Sequence, residues 1–324
     1  MKAVLFTEYG PPEVLRIEEV EKPVPKENEV LVKVHAASIN SWDWELLRGT
    51  PFVNRLVFGL LRPKKINILG CDIAGRVEAV GEGVKRFTPR DTVFGDTSAC
   101  GWGGFAEYVC AEEGALALKP AGMAFDQAAA IPQAALLALQ GLSNRRPVQP
   151  GQKVLINGAG GGAGTFAVQI AKSFGAEVTG VDSACKLETM RSVGAEHVID
   201  YAVVDFTRSG LRYDLILDFM GFHPFLDYRR ALAPDGIYVM AGGSTSLANK
   251  TILLGPLISM TGRKKMGILM HKSNVGIETV KELFEAAKVV PIIDRHYPLS
   301  EVPAALSYFG EGNTLGKIVI TVTE

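Results

Sequence analysis

The stretch running from Val154-Leu155-Ile156-Asn157 through Gly158-Ala159-Gly160-Gly161-Gly162-Ala163-Gly164 to Thr165-Phe166-Ala167-Val168-Gln169-Ile170, and on to Glu177-Val178-Thr179-Gly180-Val181-Asp182, decides the fold. A β-branched strand opens directly into a glycine-rich turn, and the turn into a helix with apolar positions at Phe166, Val168, Ile170 and Ala171. Glycines let a backbone approach a pyrophosphate closely, and a helix N-terminus offers N–H groups and positive dipole to it. A second strand ends at Asp182, near the distance expected of a residue facing an adenosine ribose. A glycine-rich surface loop is the plainer alternative. Strand before, helix after and acid at the second strand's end together favour dinucleotide binding, with Gly160, Gly161, Gly162, Ala163 and Gly164 at the phosphates. The second cofactor phosphate divides the residues. Asp182 would accept from both ribose hydroxyls and repel a 2′-phosphate, favouring NAD. Ser183, Lys186 and Tyr201 would donate to that phosphate, favouring NADP.

Outward from this turn, strands are predicted at Glu177–Val181, His197–Ile199, Leu215–Asp218 and Ile237–Met240. Helices are predicted between them at Gly164–Phe174, Lys186–Val193 and Pro224–Leu232, and a long one precedes them at Ala128–Leu142. Such alternation gives an α/β fold with a Rossmann-type, doubly wound parallel sheet. The first third instead carries short apolar runs punctuated by Pro and Gly: Lys2–Phe6, Val30–Ala37, Gly75–Val80, Asp91–Phe94 and Phe105–Val109, with Ala74–Val84 turning as a hairpin would. These predict a β-rich domain. The tail reads as a helix near Ile277–Lys288, a segment Ile292–Tyr297, a helix capped by Ser300, and a final strand Lys317–Val322. The stretch Thr261–Met270 mixes basic and apolar residues and is read as packed on one side, with Arg263, Lys264 and Lys265 solvated. It is also a candidate interface.

A chain of 324 residues exceeds the usual single core, so two domains are expected. Lys and Arg number 34 against 35 Asp and Glu, too balanced for a general nucleic-acid binder. Hydrophobic residues reach 47%, yet no uninterrupted apolar stretch approaches the length that spans a bilayer, so membrane insertion is not expected. The N-terminal residues carry no apolar signal core, and Cys71, Cys100, Cys110 and Cys185 form no CxxC pair. A cytoplasmic protein with reduced thiols is the expectation. His35, His197, His223, His271 and His296 show no metal spacing, and none is nominated as a general base.

Several further motifs are specific when taken together: Ala36-Ala37-Ser38-Ile39-Asn40 with Asp43, Leu69-Gly70-Cys71-Asp72-Ile73-Ala74-Gly75 leading into VEAVGEGV, Gly103-Gly104-Phe105-Ala106-Glu107-Tyr108, Gly194-Ala195-Glu196-His197-Val198-Ile199-Asp200-Tyr201, and Gly316-Lys317-Ile318-Val319-Ile320. With the glycine turn they make the chain resemble, over its whole length, the medium-chain dehydrogenase/reductase superfamily, in its zinc-free quinone oxidoreductase and enone reductase branch. The resemblance implies a GroES-like β-rich catalytic domain over residues 1–122, completed by 264–324, around a Rossmann domain at 123–263.

The resemblance tells against zinc. Asn40 stands where zinc-dependent alcohol dehydrogenases carry a cysteine ligand, Cys71-Asp72 replaces their His-Glu pair, and no cysteine lies near Ile131. Cys71 alone cannot hold the ion. Asn40 becomes the candidate catalytic residue, near nicotinamide or acceptor oxygen, with an amide able to donate there. Its plainer reading is a loop Asn bonding its own backbone. Asp43 and Trp44 are candidate pocket residues, although a Trp is more often packing. Lys186 and Tyr201 match the positions that hold the 2′-phosphate in bacterial quinone oxidoreductases, which favours NADPH, with NADH as the alternative through Asp182. Lys317 is expected by the cofactor cleft, with Ala241 and Gly242 under the nicotinamide carboxamide. The implied activity is hydride transfer from NADPH to a quinone or α,β-unsaturated carbonyl, by a homodimer. The competing readings are a zinc-free NAD-dependent alcohol or aldehyde dehydrogenase and a non-catalytic dinucleotide-binding partner protein.

Overall fold

The computed structural model describes residues 1–323, for Thr261 the backbone alone. The chain forms two compact units, one of Met1–Gln133, Ser273–Lys281 and Pro291–Glu324, the other of Ala134–Lys272 and Glu282–Val290. The first two of the four crossings fall some ten residues beyond those expected from the sequence at 122/123 and 263/264, and Glu282–Val290 returns to the second unit.

The first unit carries strands β1 (Lys2–Leu5), β2 (Arg16–Glu19), β3 (Glu29–Ser38), β4 (Asp72–Val80), β5 (Thr92–Asp96), β6 (Tyr108–Glu112) and β7 (Ala117–Leu118). The second carries β8 (Lys153–Asn157), β9 (Glu177–Asp182), β10 (His197–Asp200), β11 (Tyr213–Asp218), β12 (Leu232–Met240) and β13 (Lys265–Ile268). The chain then returns to the first unit with β14 (Ile293–Pro298) and β15 (Lys317–Thr321).

In the first unit the sheet order is β14-β15-β3-β4-β5-β7, with β6 also paired to β3. Strand β3 is its hub. Val30, Val32 and Val34 enter one core with Ile73, Val77 and Val93. Ala37 and Ile39 enter a second core with Leu46 and Leu47 of helix α1 (Ser41–Arg48) and Leu306 of α10 (Val302–Gly310). A short helix α2 (Phe52–Phe58) follows α1. The expected hairpin at Ala74–Val84 is a looser connection, because β4 stops at Val80 and its partner β5 begins only at Thr92.

The second unit's sheet is parallel throughout, in the order β10-β9-β8-β11-β12-β13. Val154, Leu155 and Ile156 of β8 are all fully buried, as a central strand covered on both faces requires. Helices α5 (Gly162–Ser173), α6 (Leu187–Ser192), α7 (Phe225–Ala231) and α8 (Thr245–Thr261) make the crossovers. The strand order reverses between β8 and β11, and ligands of such sheets bind beyond the carboxyl ends at that reversal.

Several expectations are corrected. The single helix Ala128–Leu142 is two, α3 (Phe125–Ala129) and α4 (Pro132–Leu142). Pro132 has no N–H to continue α3 and biases Ile131 away from helix, whereas it suits the first turn of α4. The seventeen-residue α8 went unread, since its apolar residues define no narrow stripe and Pro256 interrupts it. Within Thr261–Met270, residues 265–268 are strand β13; Met266 is buried and Arg263 exposed as expected, but Lys264 and Lys265 are half-buried, their ammoniums donating to Arg229 O and Gly262 O. The helix α9 (Ile277–Glu285) ends three residues short of Lys288. Glu301, not Ser300, precedes α10, without a capping side-chain bond.

Candidate active site

In the second unit, the carboxyl ends of β8, β9, β11 and β12 are laced together by backbone bonds. Gly158 N donates to Val181 O at 2.8 Å, Phe219 N to Asn157 O at 3.0 Å, and Ala241 N to Asp218 O at 2.8 Å. The turns that follow these strands touch where only glycine fits. A Cβ on Gly164 would stand 2.0 Å from Gly158 O, and one on Gly242 2.4 Å from Phe219 O. Gly158 turns the chain at φ +89°, a conformation costly for other residues. Gly161 caps α5, leaving the N–H groups of Gly162, Ala163 and Gly164 without intrahelical carbonyls. The result is a donor-lined cradle at the reversal point, which suits a pyrophosphate.

A clamp that the sequence reading missed closes this point. Asp218, fully buried at the end of β11, accepts from Asn157 Nδ2 at 2.8 Å, Met220 N at 3.0 Å, Gly221 N at 2.9 Å and the Tyr238 hydroxyl at 2.9 Å. Burial first, and then the Asp218 charge, push the Tyr238 hydroxyl far above its ordinary range, so it stays a donor. Asn157 and Asp218 are 61 residues apart, and the only local signal was an Asn and an Asp each ending a buried apolar run.

At the end of β9, four expected residues come together. Asp182 is 6% exposed, and its carboxylate accepts from Gly160 N at 3.0 Å and Ser183 N at 2.9 Å. The Lys186 ammonium lies 3.7 Å from its Oδ1, and the lysine stem lies over Gly160, where a Cβ would meet Lys186 Cβ at 2.6 Å. Tyr201 N donates to Asp182 O at 3.2 Å, which holds the half-exposed tyrosine beside them. Each Asp182 oxygen thus accepts one backbone bond, and Oδ1 also faces the Lys186 cation. Lys186 is buried at 7% exposure, against the solvated lysine that a helix start would suggest.

The first unit gathers Asn40, Cys71, Asp72, Asp96 and Lys317, because β3, β4, β5 and β15 all terminate together: Ser38 pairs with Asp72, and Asp72 with Asp96. Gly316, at φ +81° with Ile292 O where a Cβ would be, turns Lys317 inward. Its ammonium, 3% exposed, donates to Ile39 O at 2.9 Å and Asn40 Oδ1 at 2.5 Å and lies 3.7 Å from Asp72 Oδ2. Asn40 Nδ2 donates to Asp72 Oδ2 at 2.9 Å and Cys71 Sγ at 3.5 Å. Both amide hydrogens are thus engaged within the protein. Asn40 shares its amide oxygen with Lys317 and its amide hydrogens with Asp72 and Cys71.

Burial raises Asp72 to about 6 against the lowering effect of Lys317, and raises Asp43 to about 7. Burial and the Asp72, Asp43 and Asp96 charges push the Cys71 thiol well up, keeping it protonated. Cys71, Asp72 and Asp96 offer ligand atoms within 4.8 Å of one another, a grouping that Cys71 alone did not foreshadow. Asp43 and Trp44, the expected pocket residues, are both engaged within the first unit. Asp43 is fully buried and accepts from Asn40 N and Gly70 N, both at 2.8 Å. Trp44 packs against Gly310, with Arg48 over its ring at 5.0 Å.

Among the described residues no helix is long and apolar enough to cross a membrane. Residues 26–121 match the alcohol dehydrogenase GroES-like domain family, and residues 193–320 the zinc-binding dehydrogenase family. The chloroplast envelope quinone oxidoreductase homolog of Arabidopsis thaliana is 31% identical over 99% of this chain and 98% of its own. The chloroplastic NADPH-dependent alkenal/one oxidoreductase of the same plant is 30% identical over 99% of this chain and 79% of its own. The structure of the quinone oxidoreductase from Coxiella burnetii superposes with a TM-score of 0.89 at 31% identity, covering 100% of this chain and 99% of that one.

Proposed function

Because the chain belongs to the medium-chain dehydrogenase/reductase superfamily, in its quinone oxidoreductase and enone reductase branch, we propose that it reduces a quinone or an α,β-unsaturated carbonyl with NADPH. When bound, NADPH supplies the hydride; the balancing proton comes from solvent. The glycine cradle fits a dinucleotide pyrophosphate, and the Asn157–Asp218 clamp holds the loops on either side of it in place.

The observation that carries the cofactor choice is Lys186. Its ammonium compensates Asp182, so the end of β9 presents a paired site in place of a lone carboxylate. Lys186, Ser183 and Tyr201, whose backbone is tied to Asp182, would supply the donors for a 2′-phosphate. Lys186→Ala therefore raises the KM for NADPH tenfold or more, roughly, and that for NADH little. Equal effects on both cofactors would overturn the assignment.

We read the chemistry as independent of zinc. Cys71 Sγ accepts from Asn40 Nδ2 at 3.5 Å and Gln133 Nε2 at 3.6 Å, Asp72 already faces the buried Lys317 ammonium, and Asp96 Oδ1 accepts from Ser98 N at 2.7 Å. A divalent ion beside that ammonium would meet repulsion in a desolvated site, so these residues do not fit a catalytic zinc. Asn40 and Lys317 are then positioning residues that brace the end of β3. Full activity after exhaustive chelation checks this; loss restored by added zinc refutes it.

A homodimer is supported by the edge position of β13 in its sheet, beside the exposed Leu253 and Met260 of α8. Light scattering at a monomer's mass would sink that reading. The four free cysteines suit a reducing compartment such as the cytoplasm.

A further inference from the structure

Helix α2 and the turn after it present an exposed apolar surface. Phe52, Val53, Leu56 and Val57 stand at i, i+1, i+4 and i+5 on one helical face, exposed by 62%, 55%, 64% and 49%, and Leu60 and Leu61 extend it at 55% and 85%. The opposite side is anchored. Arg55 donates to Gly49 O at 3.2 Å and covers the Tyr9 ring at 4.8 Å, the Tyr9 hydroxyl donates to Gly59 O at 2.8 Å, and Phe58 packs on the first unit's second core. The apolar face is therefore held outward by contacts on the other side of the same element. Contiguous exposed apolar area of this kind marks an interaction surface.

The charge around it selects the occupant. Between Glu45 and Asp72 there are five cations, Arg48, Arg55, Arg62, Lys64 and Lys65, and no acid. Arg62, Lys64 and Lys65 are exposed immediately beyond Leu61. A second copy of this chain seated on the face would set those cations against their own counterparts. An anionic bilayer takes both signals at once, because apolar side chains enter the acyl boundary while cations meet lipid phosphates, and neither signal alone gives stable attachment. We propose that this face docks the protein on the surface of an anionic bilayer, lying at the interface without spanning it. The proposal does not depend on the catalytic assignment.

The test is co-sedimentation of the full chain with vesicles of phosphatidylcholine alone and of phosphatidylcholine mixed equally with phosphatidylglycerol. Binding to the anionic vesicles only is expected. Leu60→Ser with Leu61→Ser, and separately Arg62→Glu with Lys64→Glu and Lys65→Glu, should each lower the partition coefficient about tenfold or more. Both variants should keep the wild-type thermal transition and NADPH affinity. Failure of the wild type to bind either vesicle overturns the proposal, as does binding that survives both sets of substitutions. Self-association that the Leu60 and Leu61 changes abolish, without vesicle binding, would assign the face to a second copy.

Discussion

Replacing Lys317 with Met removes the cation facing Asp72 at 3.7 Å, deep in a site where the two side chains are 3% and 0% exposed. Breaking a buried pair by removing one partner costs about 3–5 kcal/mol when the other stays charged. Asp72 can escape by taking a proton, and each pH unit that the solvent lies above its pKa makes that escape about 1.4 kcal/mol more expensive. Asp72 already stands at about 6 with Lys317 lowering it, so its pKa rises further in the variant. The direction of the pH effect follows. A carboxyl whose folded pKa exceeds the unfolded value binds its proton more tightly in the folded state, so stability falls as pH rises from the unfolded value through the folded one. In Lys317→Met that window extends upward. At about pH 5.5 Asp72 is neutral and the deficit reduces to lost packing and two hydrogen bonds, about 1–2 kcal/mol; at about pH 8 it approaches the full penalty. Urea unfolding of both proteins at the two pH values measures this. Equal deficits at both, or less than about 1 kcal/mol at the higher pH, would show that Lys317 does not compensate Asp72.

Gly164→Ala puts a methyl 2.0 Å from Gly158 O, so the turn must open; NADPH affinity should fall at least about tenfold, and calorimetry showing unchanged binding would contradict the cradle. Asp218→Asn keeps the shape but loses a charged acceptor for Met220 N, Gly221 N and the Tyr238 hydroxyl. It should cost about 1–3 kcal/mol of stability and raise the KM for NADPH more than it lowers kcat, whereas a kcat loss alone would place Asp218 in the chemistry. Cys71, fully buried and held protonated, should resist alkylation in the native protein while exposed Cys185 reacts; peptide mapping that finds Cys71 labelled first would undo the description of the buried cluster.

The parallel sheet and glycine turn were legible because their signals are local: a buried β-branched run, glycines that only close backbone approach requires, and a helix directly after them. The grouping at Asp182 was legible as a set of residues but not as an arrangement. Whether an acid faces ribose or its own turn depends on where Gly160 N and Lys186 point, which spacing does not encode. The Asn40–Lys317 bond joins residues 277 apart, so Asn40 could be placed at the site while the engagement of both its amide hydrogens could not be foreseen. Asp43 and Trp44 invite a pocket reading because they lie near Asn40 in the chain. On α1 they face Gly70 and Gly310 instead. The Asp218 clamp stayed hidden because a strand-ending Asp has the same local appearance whether it binds ligand or backbone.

The most direct test of the account is anaerobic oxidation of NADPH and NADH, side by side, with one ortho-quinone and one small enone as acceptors and a panel of alcohols run in reverse. Turnover of a quinone or enone preferentially with NADPH, and no alcohol oxidation, is the result predicted. Alcohol oxidation with NAD, or tight NADPH binding without turnover of any acceptor, would contradict it.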